Sequence, residues 1–286
     1  MHDFDSQLRA FGERIEREML EGQLNFPTVL DLSVRIKTIA DDPDSSLDDI
    51  AVVVRAEPVL AAKAVRMANS VVMNPYGNPV TGVNDAVRRI GLDSLRCLAF
   101  AVAAEQVAQD FRSHTMKLIA TGLWMHSVDV ACWSHVIARE TRAANPDTAM
   151  FAGMMVDIGQ FFLLARAGEY PALEQDMDRF AEFVSTWHAP VGRAILEVFG
   201  MPETILDAFR QEDPLIEAWP PTSLTHTLQI ARVATESPNP FDSLLGRGSP
   251  SLTDALAGSA TEPEALQQML AEVDSGRREL LASLNG

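Results

Sequence analysis

The stretch AMFAGMMVDIGQFFLLA, residues 149–165, is the most apolar part of the chain and decides its fold class. It is shorter than the roughly 20 apolar residues that a helix needs to span a bilayer. Asp157 also lies in its middle, where a charge would be costly in lipid. We therefore expect a helix buried in the core of a globular protein, and no membrane span.

Apolar residues with helical spacing flank this stretch on both sides. Alternating strand patterns joined by Asn-Gly or Asp-Gly turns, which would indicate hairpins, are absent from the sequence. The sequence therefore predicts an all-α protein. The predicted helices in the middle of the chain include residues 94–107, 116–139, 147–166, 180–199 and 223–236.

The N-terminus has an amphipathic pattern. Its large apolar residues recur at steps of three or four, which places them on one face of an otherwise charged helix. That face needs a partner surface, and we assign residues 1–23 to this N-terminal amphipathic helix. The apolar positions are Phe4, Leu8, Phe11, Ile15 and Met19.

Start and stop signals divide the region that follows. Pro27 suits the first turn of a second helix, whose apolar spacing runs to Ile39. Ser46 and Asp49 resemble a capping box, with acidic charge in the first turn of a third helix. The segment NPYGNP, residues 74–79, predicts a loop, because its two prolines and its glycine interrupt regular structure.

The last part of the chain, residues 214–286, is predicted to be a C-terminal helical extension. It contains the helix at 223–236 and a second one at 263–284. Residues 237–251, which are rich in proline, glycine and serine, are predicted to form the loop between them.

Charge limits the classes of partner. The formal net charge is −17, and such a field repels nucleic acid phosphates and anionic membrane surfaces. We therefore expect no nucleic acid partner and no membrane partner. If the acidic surface meets a partner protein, we expect the association to weaken with salt.

The cysteines and the N-terminus indicate the compartment. Cys97 and Cys132 both lie in apolar helical stretches, as expected of reduced thiols that pack like small hydrophobic residues. The N-terminus carries acidic residues and no continuous apolar segment, unlike a secretory signal. We expect a cytoplasmic protein.

Several local patterns resemble, in order and spacing, the HDOD family, a divergent branch of the HD-domain superfamily of metal-dependent phosphohydrolases. The resemblance runs from about residue 24 to about residue 213, and no single motif carries it. Glu57 stands where the family usually has aspartate. The matching segments are FPTV at 26–29, EPVL at 57–60 with MANS at 67–70, DAVRRIG at 85–91, WMHS at 124–127 and AGMMVDIG at 152–159.

The resemblance implies an architecture. It implies an HD-like helical bundle core with an N-terminal helical subdomain, so that the HDOD domain occupies residues 24–213. The amphipathic helix precedes this domain, and the helical extension follows it.

The resemblance also locates a metal site that has lost ligands. Active HD hydrolases hold a divalent metal with a histidine, a His-Asp pair and a late aspartate. His126 matches the first histidine, and Asp157 matches the aspartate of the pair. Val156 stands where the second histidine is expected, and valine has no lone pair to donate.

Further ligand positions are altered as well. His188 lies where some HD relatives bring another histidine, but the paired histidines expected near Arg210 are absent. Ala231 or Arg232 replaces the late aspartate. We therefore expect no metal, no cofactor and no catalytic residue, and we treat His126, Val156, Asp157 and His188 as vestigial positions.

The vestigial positions need another explanation for their polar groups. A buried carboxylate must be paired, so we expect Asp157 to cap a helix or to bind buried backbone, and His126 to do likewise. Convergence of His126, Asp157 and His188 would instead allow a three-ligand site.

Other candidate chemistries are weaker. Cys132 and His135 share a helix face, but their apolar neighbours favour packing over a thiol nucleophile. His2 and His114 are expected to be solvated. Methionines 67, 73, 125, 154 and 155 are expected to fill the core, with an adaptable binding groove as the alternative. Tryptophans 124, 133 and 187 are expected in the core, and no phosphate-binding glycine loop occurs.

Together these observations predict a non-catalytic regulatory module of bacterial signal transduction. The resemblance implies partners in trans: cyclic-dinucleotide enzymes, histidine kinases or response regulators. The first alternative is a weak metal-dependent phosphohydrolase or phosphodiesterase that uses His126, Asp157 and His188. The second is a nucleotide-sensing domain that uses the vacated cleft.

Overall fold

The structure is a computed structural model. It describes residues 2–22, 24, 36, 38–39, 42, 44–111, 113–198, 201–209, 219–248, 252, 271, 273–278 and 280–282, with the backbone alone at 2 and 103–110. Within these residues the regular elements are helices and none is a strand, so the predicted all-α class is confirmed.

The described helices follow one another with short connections. A 3₁₀ turn, Pro171–Gln175, lies between α7 and α8. The α-helices are α1 His2–Leu20, α2 Leu47–Arg55, α3 Pro58–Ala68, α4 Val83–Asp110, α5 His114–Thr141, α6 Pro146–Met155, α7 Ile158–Ala167, α8 Met177–Val198, α9 Glu203–Ala208, α10 Leu224–Ala234 and α11 Pro240–Leu244.

Helix α1 packs on the body of the protein. Phe11 is fully buried, and its ring lies 5.3 Å from that of Tyr170 and 6.1 Å from that of Phe180. At the rim, Arg14 Nη1 lies 2.7 Å from Glu169 Oε2. The partner surface that the amphipathic pattern required is therefore the face formed by α8 and the 3₁₀ turn.

The N-terminal subdomain is organised by caps and by one loop. Ser46 and Asp49 form the predicted capping box at the start of α2. The predicted loop at 74–79 is confirmed. Asn69 holds it in place, because its side chain donates to Val80 O (2.6 Å) and accepts from Val80 N (2.7 Å). Arg89 Nη1 donates to Asn78 O at 2.7 Å.

Helix α4 is kinked at Gly91, in the motif DAVRRIG. Gly91 has φ 75° and ψ 172°, a conformation open essentially to glycine. The start of α6 packs at this kink, since a Cβ on Gly91 would lie 3.6 Å from Asp147 Oδ2. The glycine therefore turns the second half of α4 while leaving room for α6.

The apolar stretch is buried as predicted, but it is not one helix. Helix α6 ends at Met155 and α7 begins at Ile158, so that Val156 and Asp157 form a turn between them. Counted together, Pro146–Ala167 is long and apolar enough to cross a membrane, yet 83% of its most apolar window is buried inside the protein. Buried core helices pass the same test of length and composition.

The region after α9 contains an unpredicted element. Within the predicted loop 237–251, residues Pro240–Leu244 form α11. Asn239 caps this helix by accepting from the backbone N–H groups of Phe241 and Asp242. The predicted helix at 223–236 is present as α10, Leu224–Ala234.

Two further predictions fall mostly on residues that are not described. The helix expected between Pro27 and Ile39 lies outside them except at 36, 38 and 39. Of the helix expected at 263–284, residues 271, 273–278 and 280–282 are described and helical; we call these the C-terminal helical segment. Arg66 Nη2 donates to Ala282 O at 2.7 Å, so this segment reaches α3.

Candidate functional site

Helix α5 places His126 inside the protein. The imidazole is 5% exposed, and its Nδ1 lies 2.6 Å from the carbonyl oxygen of Ser237. Because a carbonyl oxygen only accepts, Nδ1 carries the hydrogen and donates it. The prediction that His126 binds buried backbone is therefore confirmed.

The turn between α6 and α7 brings Asp157 to the same point. Asp157 is fully buried, and its Oδ2 lies 3.3 Å from His126 Nε2. Neither carboxylate oxygen has a hydrogen-bond donor among the described residues. The prediction that Asp157 caps a helix or binds backbone was wrong. It is the N-cap residue of α7, but its φ of −105° and ψ of 19° differ from the extended backbone of side-chain caps.

This arrangement directs two electron-pair donors at each other. With the hydrogen of a neutral imidazole on Nδ1, Nε2 presents a lone pair, and Asp157 Oδ2 lies 3.3 Å from it. Two lone pairs at 3.3 Å repel each other unless a proton or a cation lies between them. Metal-binding histidines have the same bond from the far ring nitrogen to a carbonyl.

The other vestigial positions do not complete a metal site. Val156 is half-buried and packs into two apolar clusters that contain residues of α10. His188 is half-buried on α8. Across the part of the chain that the structure describes, no group of three His, Cys, Asp or Glu side chains could hold a metal ion. Two donors, His126 and Asp157, therefore do not fit the metal that the HD superfamily implies.

The position of the late aspartate is also apolar. Ala231 is fully buried and belongs to the cluster of Trp133 and Ile230. Arg232, the next residue in the sequence, is exposed, so its guanidinium does not enter the interior. A methyl group thus stands where a bridging carboxylate is expected.

The glycine of the motif AGMMVDIG has a packing role. A Cβ on Gly159 would overlap the carbonyl oxygen of His188 and would come within 2.8 Å of Gly192 N. Helices α7 and α8 therefore meet backbone to backbone beside Asp157. This close approach buries the turn that carries the carboxylate.

Sequence reasoning missed a buried ionic cluster one helical turn from His126. The fully buried Asp129 accepts from Arg277 Nη1 (2.7 Å), Thr235 Oγ1 (2.7 Å) and Glu236 N (3.0 Å). Arg277 is 2% exposed and lies over the Trp133 ring, 5.3 Å from its centroid. An aspartate in an apolar helical stretch was the available signal, but its partner lies 148 residues away.

A second buried polar group lies where α6 begins. His135 Nδ1 is 3.2 Å from Pro146 O and 3.8 Å from Asp147 Oδ1, and Ser94 Oγ donates to the same carboxylate at 2.9 Å. Burial, together with the charge of Arg139, lowers the pKa of His135 to about 4. Burial raises the pKa of Asp147. His135 is therefore a neutral structural group at physiological pH.

The remaining candidates are placed as follows. Cys132 is fully buried, and burial raises its thiol pKa well above the usual value, which leaves no thiolate for nucleophilic attack. His114 is exposed, as predicted, whereas the side chain of His2 is not among those that the structure describes. Trp124 and Trp133 are core residues, and Trp187 is half-buried and stacks on Phe183.

Comparison with known proteins identifies the sequence pattern. The family model for the HDOD domain matches residues 26–214, which include His126, Asp157 and the kink at Gly91. No curated protein matches the chain.

Solved structures share the fold. A protein from Shewanella amazonensis SB2B, named as a candidate metal-dependent phosphohydrolase, is 20% identical over 98% of this chain and 100% of its own, with a TM-score of 0.70. An HDOD domain protein of unknown function from Geobacter sulfurreducens is 23% identical over 99% and 98%, with a TM-score of 0.56. A candidate signal transduction protein from Marinobacter aquaeolei VT8 is 22% identical over 98% and 65%, with a TM-score of 0.58.

Proposed function

Because this chain belongs to the HDOD domain family, we propose that it is a non-catalytic regulatory module that acts by binding signalling proteins in trans. Its partners would be cyclic-dinucleotide enzymes, histidine kinases or response regulators. The observation that supports this proposal is the donor set at the HD position. A buried histidine and a buried carboxylate face each other there, and Val156 stands beside Asp157 in the sequence where the second histidine ligand is expected.

The burial of this pair supports a role without substrate contact. His126 is 5% exposed and Asp157 is fully buried. The segment around Ser237 covers the imidazole. A phosphate ester or a nucleotide could reach the pair only after the residues that bury it moved.

Elemental analysis and a turnover assay test the proposal. The protein, purified without added metal, should hold far less than one equivalent of iron, manganese or zinc. Hydrolysis of a phosphodiester probe such as bis-p-nitrophenyl phosphate, with Mn²⁺ added, should be the same for the wild type, His126→Ala and Asp157→Ala. Stoichiometric metal together with turnover that both substitutions abolish would refute the proposal.

A binding experiment tests the second half of the proposal. Affinity capture from the native cytoplasm with the folded protein as bait should enrich signalling proteins. A bait that carries an unfolding substitution, such as Gly159→Leu, serves as the control for nonspecific capture. Failure of the folded bait to enrich any signalling protein would count against a role in trans.

One observation favours a weak metal-dependent phosphohydrolase as the second candidate. The bond from His126 Nδ1 to the Ser237 carbonyl leaves Nε2 directed at Asp157, as in metal-binding histidines. The elemental analysis distinguishes this candidate from the first. His114→Ala, which changes an exposed histidine, is the control for metal held by the surface.

A further inference from the structure

An apolar groove lies on the outer face of α5. It is an open depression with a volume of about 590 Å³ between α5 and the segment 236–244. Sites that bury a small ligand or a few side chains have volumes of roughly 300–1,000 Å³. Its walls include Leu118, Gly122 and Met125 of α5 and Glu236, Ser237 and Pro240 of the facing segment.

The α5 wall of this groove presents two large apolar side chains to solvent. Leu118 is 59% exposed and Met125 is 49% exposed. They are seven residues apart, so they lie on one face, about 10 Å from each other along the helix. Gly122 lies between them, and a Cβ there would be 3.6 Å from Pro240. The groove is therefore a shallow apolar strip about two turns long.

Met125 differs from the other methionines of its group. Met67, Met154 and Met155 are buried core residues, as predicted, and Met73 is half-buried against the core. Met125 lies in the motif WMHS beside His126 and lines the groove instead. Methionine suits surfaces that accept varied apolar partners, because its side chain is flexible and polarizable.

Charge selects the kind of partner. Glu236 is the charged residue of the lining; Arg277 Nη2 contacts its Oε2 at 3.1 Å, and 70% of its side chain is exposed. The chain as a whole carries −17. Lys117, which is exposed next to Leu118, lies at the other end of the strip. A cation of the partner is therefore favoured at the end near Met125 and Glu236.

We propose that the groove between α5 and the segment 236–244 binds an amphipathic helix of a partner signalling protein, with its apolar face on Leu118 and Met125 and a lysine or arginine beside Glu236. The proposal rests on the proposed role as an interaction module and names the surface. A helix laid in an apolar groove is a common mode of peptide recognition. The exposed apolar side chains at the rim suit a macromolecular face better than an enclosed small molecule.

The groove is connected to the vestigial pair. Ser237 lines the groove, and its carbonyl accepts from His126 Nδ1. The backbone N–H of Glu236 donates to Asp129 at 3.0 Å. A partner that displaces segment 236–244 would therefore weaken the hydrogen bonds that this segment makes to His126 and Asp129 of α5.

Peptide binding to the full chain tests the proposal. The probe is a synthetic amphipathic helix of about 14 residues, or four turns, with leucine on one face and lysine on the other. A second peptide has glutamate in place of every lysine. Fluorescence anisotropy measures the affinities, and the ¹³C-methyl NMR signal of Met125 reports contact in the groove.

The lysine peptide should bind at least tenfold more tightly than the glutamate peptide and should shift the Met125 signal. Leu118→Ser with Met125→Ser should weaken its binding at least tenfold, and Glu236→Gln should narrow the difference between the peptides. Val52→Ser with Val59→Ser, which changes two similarly exposed apolar side chains on α2 and α3, should leave the affinity unchanged.

Three results would overturn the proposal. They are equal binding of both peptides, equal binding by the groove variant and its control, and a dimer of the protein alone that Leu118→Ser with Met125→Ser dissolves in sedimentation velocity. Each of these leaves the metal analysis and the capture experiment unaffected, so failure of the groove is distinguishable from failure of the proposed function.

Discussion

Asp129 on α5 and Arg277 in the C-terminal helical segment form a buried ion pair, with 2.7 Å between Oδ1 and Nη1. Thr235 and the backbone of Glu236 supply the remaining donors to the carboxylate. Because the carboxylate is fully satisfied, removal of the arginine alone is expected to be far more harmful than removal of both charges.

Arg277→Met should lower the free energy of unfolding by roughly 3–5 kcal/mol, because it leaves the Asp129 carboxylate buried without its cation. Asp129→Leu combined with Arg277→Met should recover most of that loss. Urea denaturation measures both. Arg278→Met, whose guanidinium is largely exposed, is the matched control and should change stability by less than about 0.5 kcal/mol. A loss below about 1 kcal/mol for Arg277→Met would contradict the expectation.

Acid should destabilise the protein through His135. Its folded-state pKa is about 4, against an ordinary value of 6.5. As the pH falls, this histidine is therefore protonated in the unfolded chain before it is protonated in the folded protein. The free energy of unfolding decreases between pH 6.5 and pH 4, by roughly 3 kcal/mol at most. His135→Asn should flatten this part of the profile in denaturation experiments between pH 7 and pH 4.

The control for this acid effect is His114→Asn, which changes an exposed histidine of the same helix. Asp147 acts in the opposite direction, because its raised pKa makes the folded protein bind a proton more tightly at the acid end of the range. An unchanged slope in His135→Asn between pH 6.5 and pH 5 would show that another group causes the acid effect.

Asp157→Asn should cost little stability or increase it slightly. The amide keeps the shape of the carboxylate and can donate to the lone pair that His126 Nε2 presents. His126→Ala should instead cost roughly 2–5 kcal/mol, because it leaves a cavity in place of a buried ring and removes the donor to the Ser237 carbonyl. Thermal and urea unfolding measure the two changes. Equal losses for both variants would contradict the expected difference between them.

Gly159→Ala should destabilise the protein by roughly 1–3 kcal/mol or more, because the added methyl meets the backbone of α8. Gly192→Ala is the matched control on the opposite helix, since its Cβ would come no closer than 3.4 Å to a neighbouring atom. The difference in urea midpoint between the two variants is the measurement. Similar midpoints would contradict the backbone contact between α7 and α8.

Periodicity and caps could be predicted from the sequence because they depend on neighbouring residues. The stripe that contains Phe11, the capping box at Ser46 and the loop at 74–79 are all local patterns, and the structure has each of them. The break at Val156 and Asp157 was missed, because neither residue of the turn is a proline or a glycine and both flanking helices are apolar. Helix α11 was missed because its five residues lie in a segment of loop-like composition.

The site was predictable in part for the same reason. The motifs WMHS and AGMMVDIG identified His126 and Asp157, but not that they would face each other at 3.3 Å. Ser237, the partner of His126, and Arg277, the partner of the neighbouring Asp129, are distant in sequence from them and belong to no recognised pattern. The metal-free role itself stays a prediction until the metal analysis is made.

The C-terminal helical segment joins regions that the chain order separates. Arg277 binds α5, and Ala282 accepts from Arg66 on α3, so residues near the end of the chain connect the HD-like core with the N-terminal subdomain. The two regions should therefore lose their structure in a single transition, and hydrogen exchange in α3 should speed up when the salt link at Asp129 is broken.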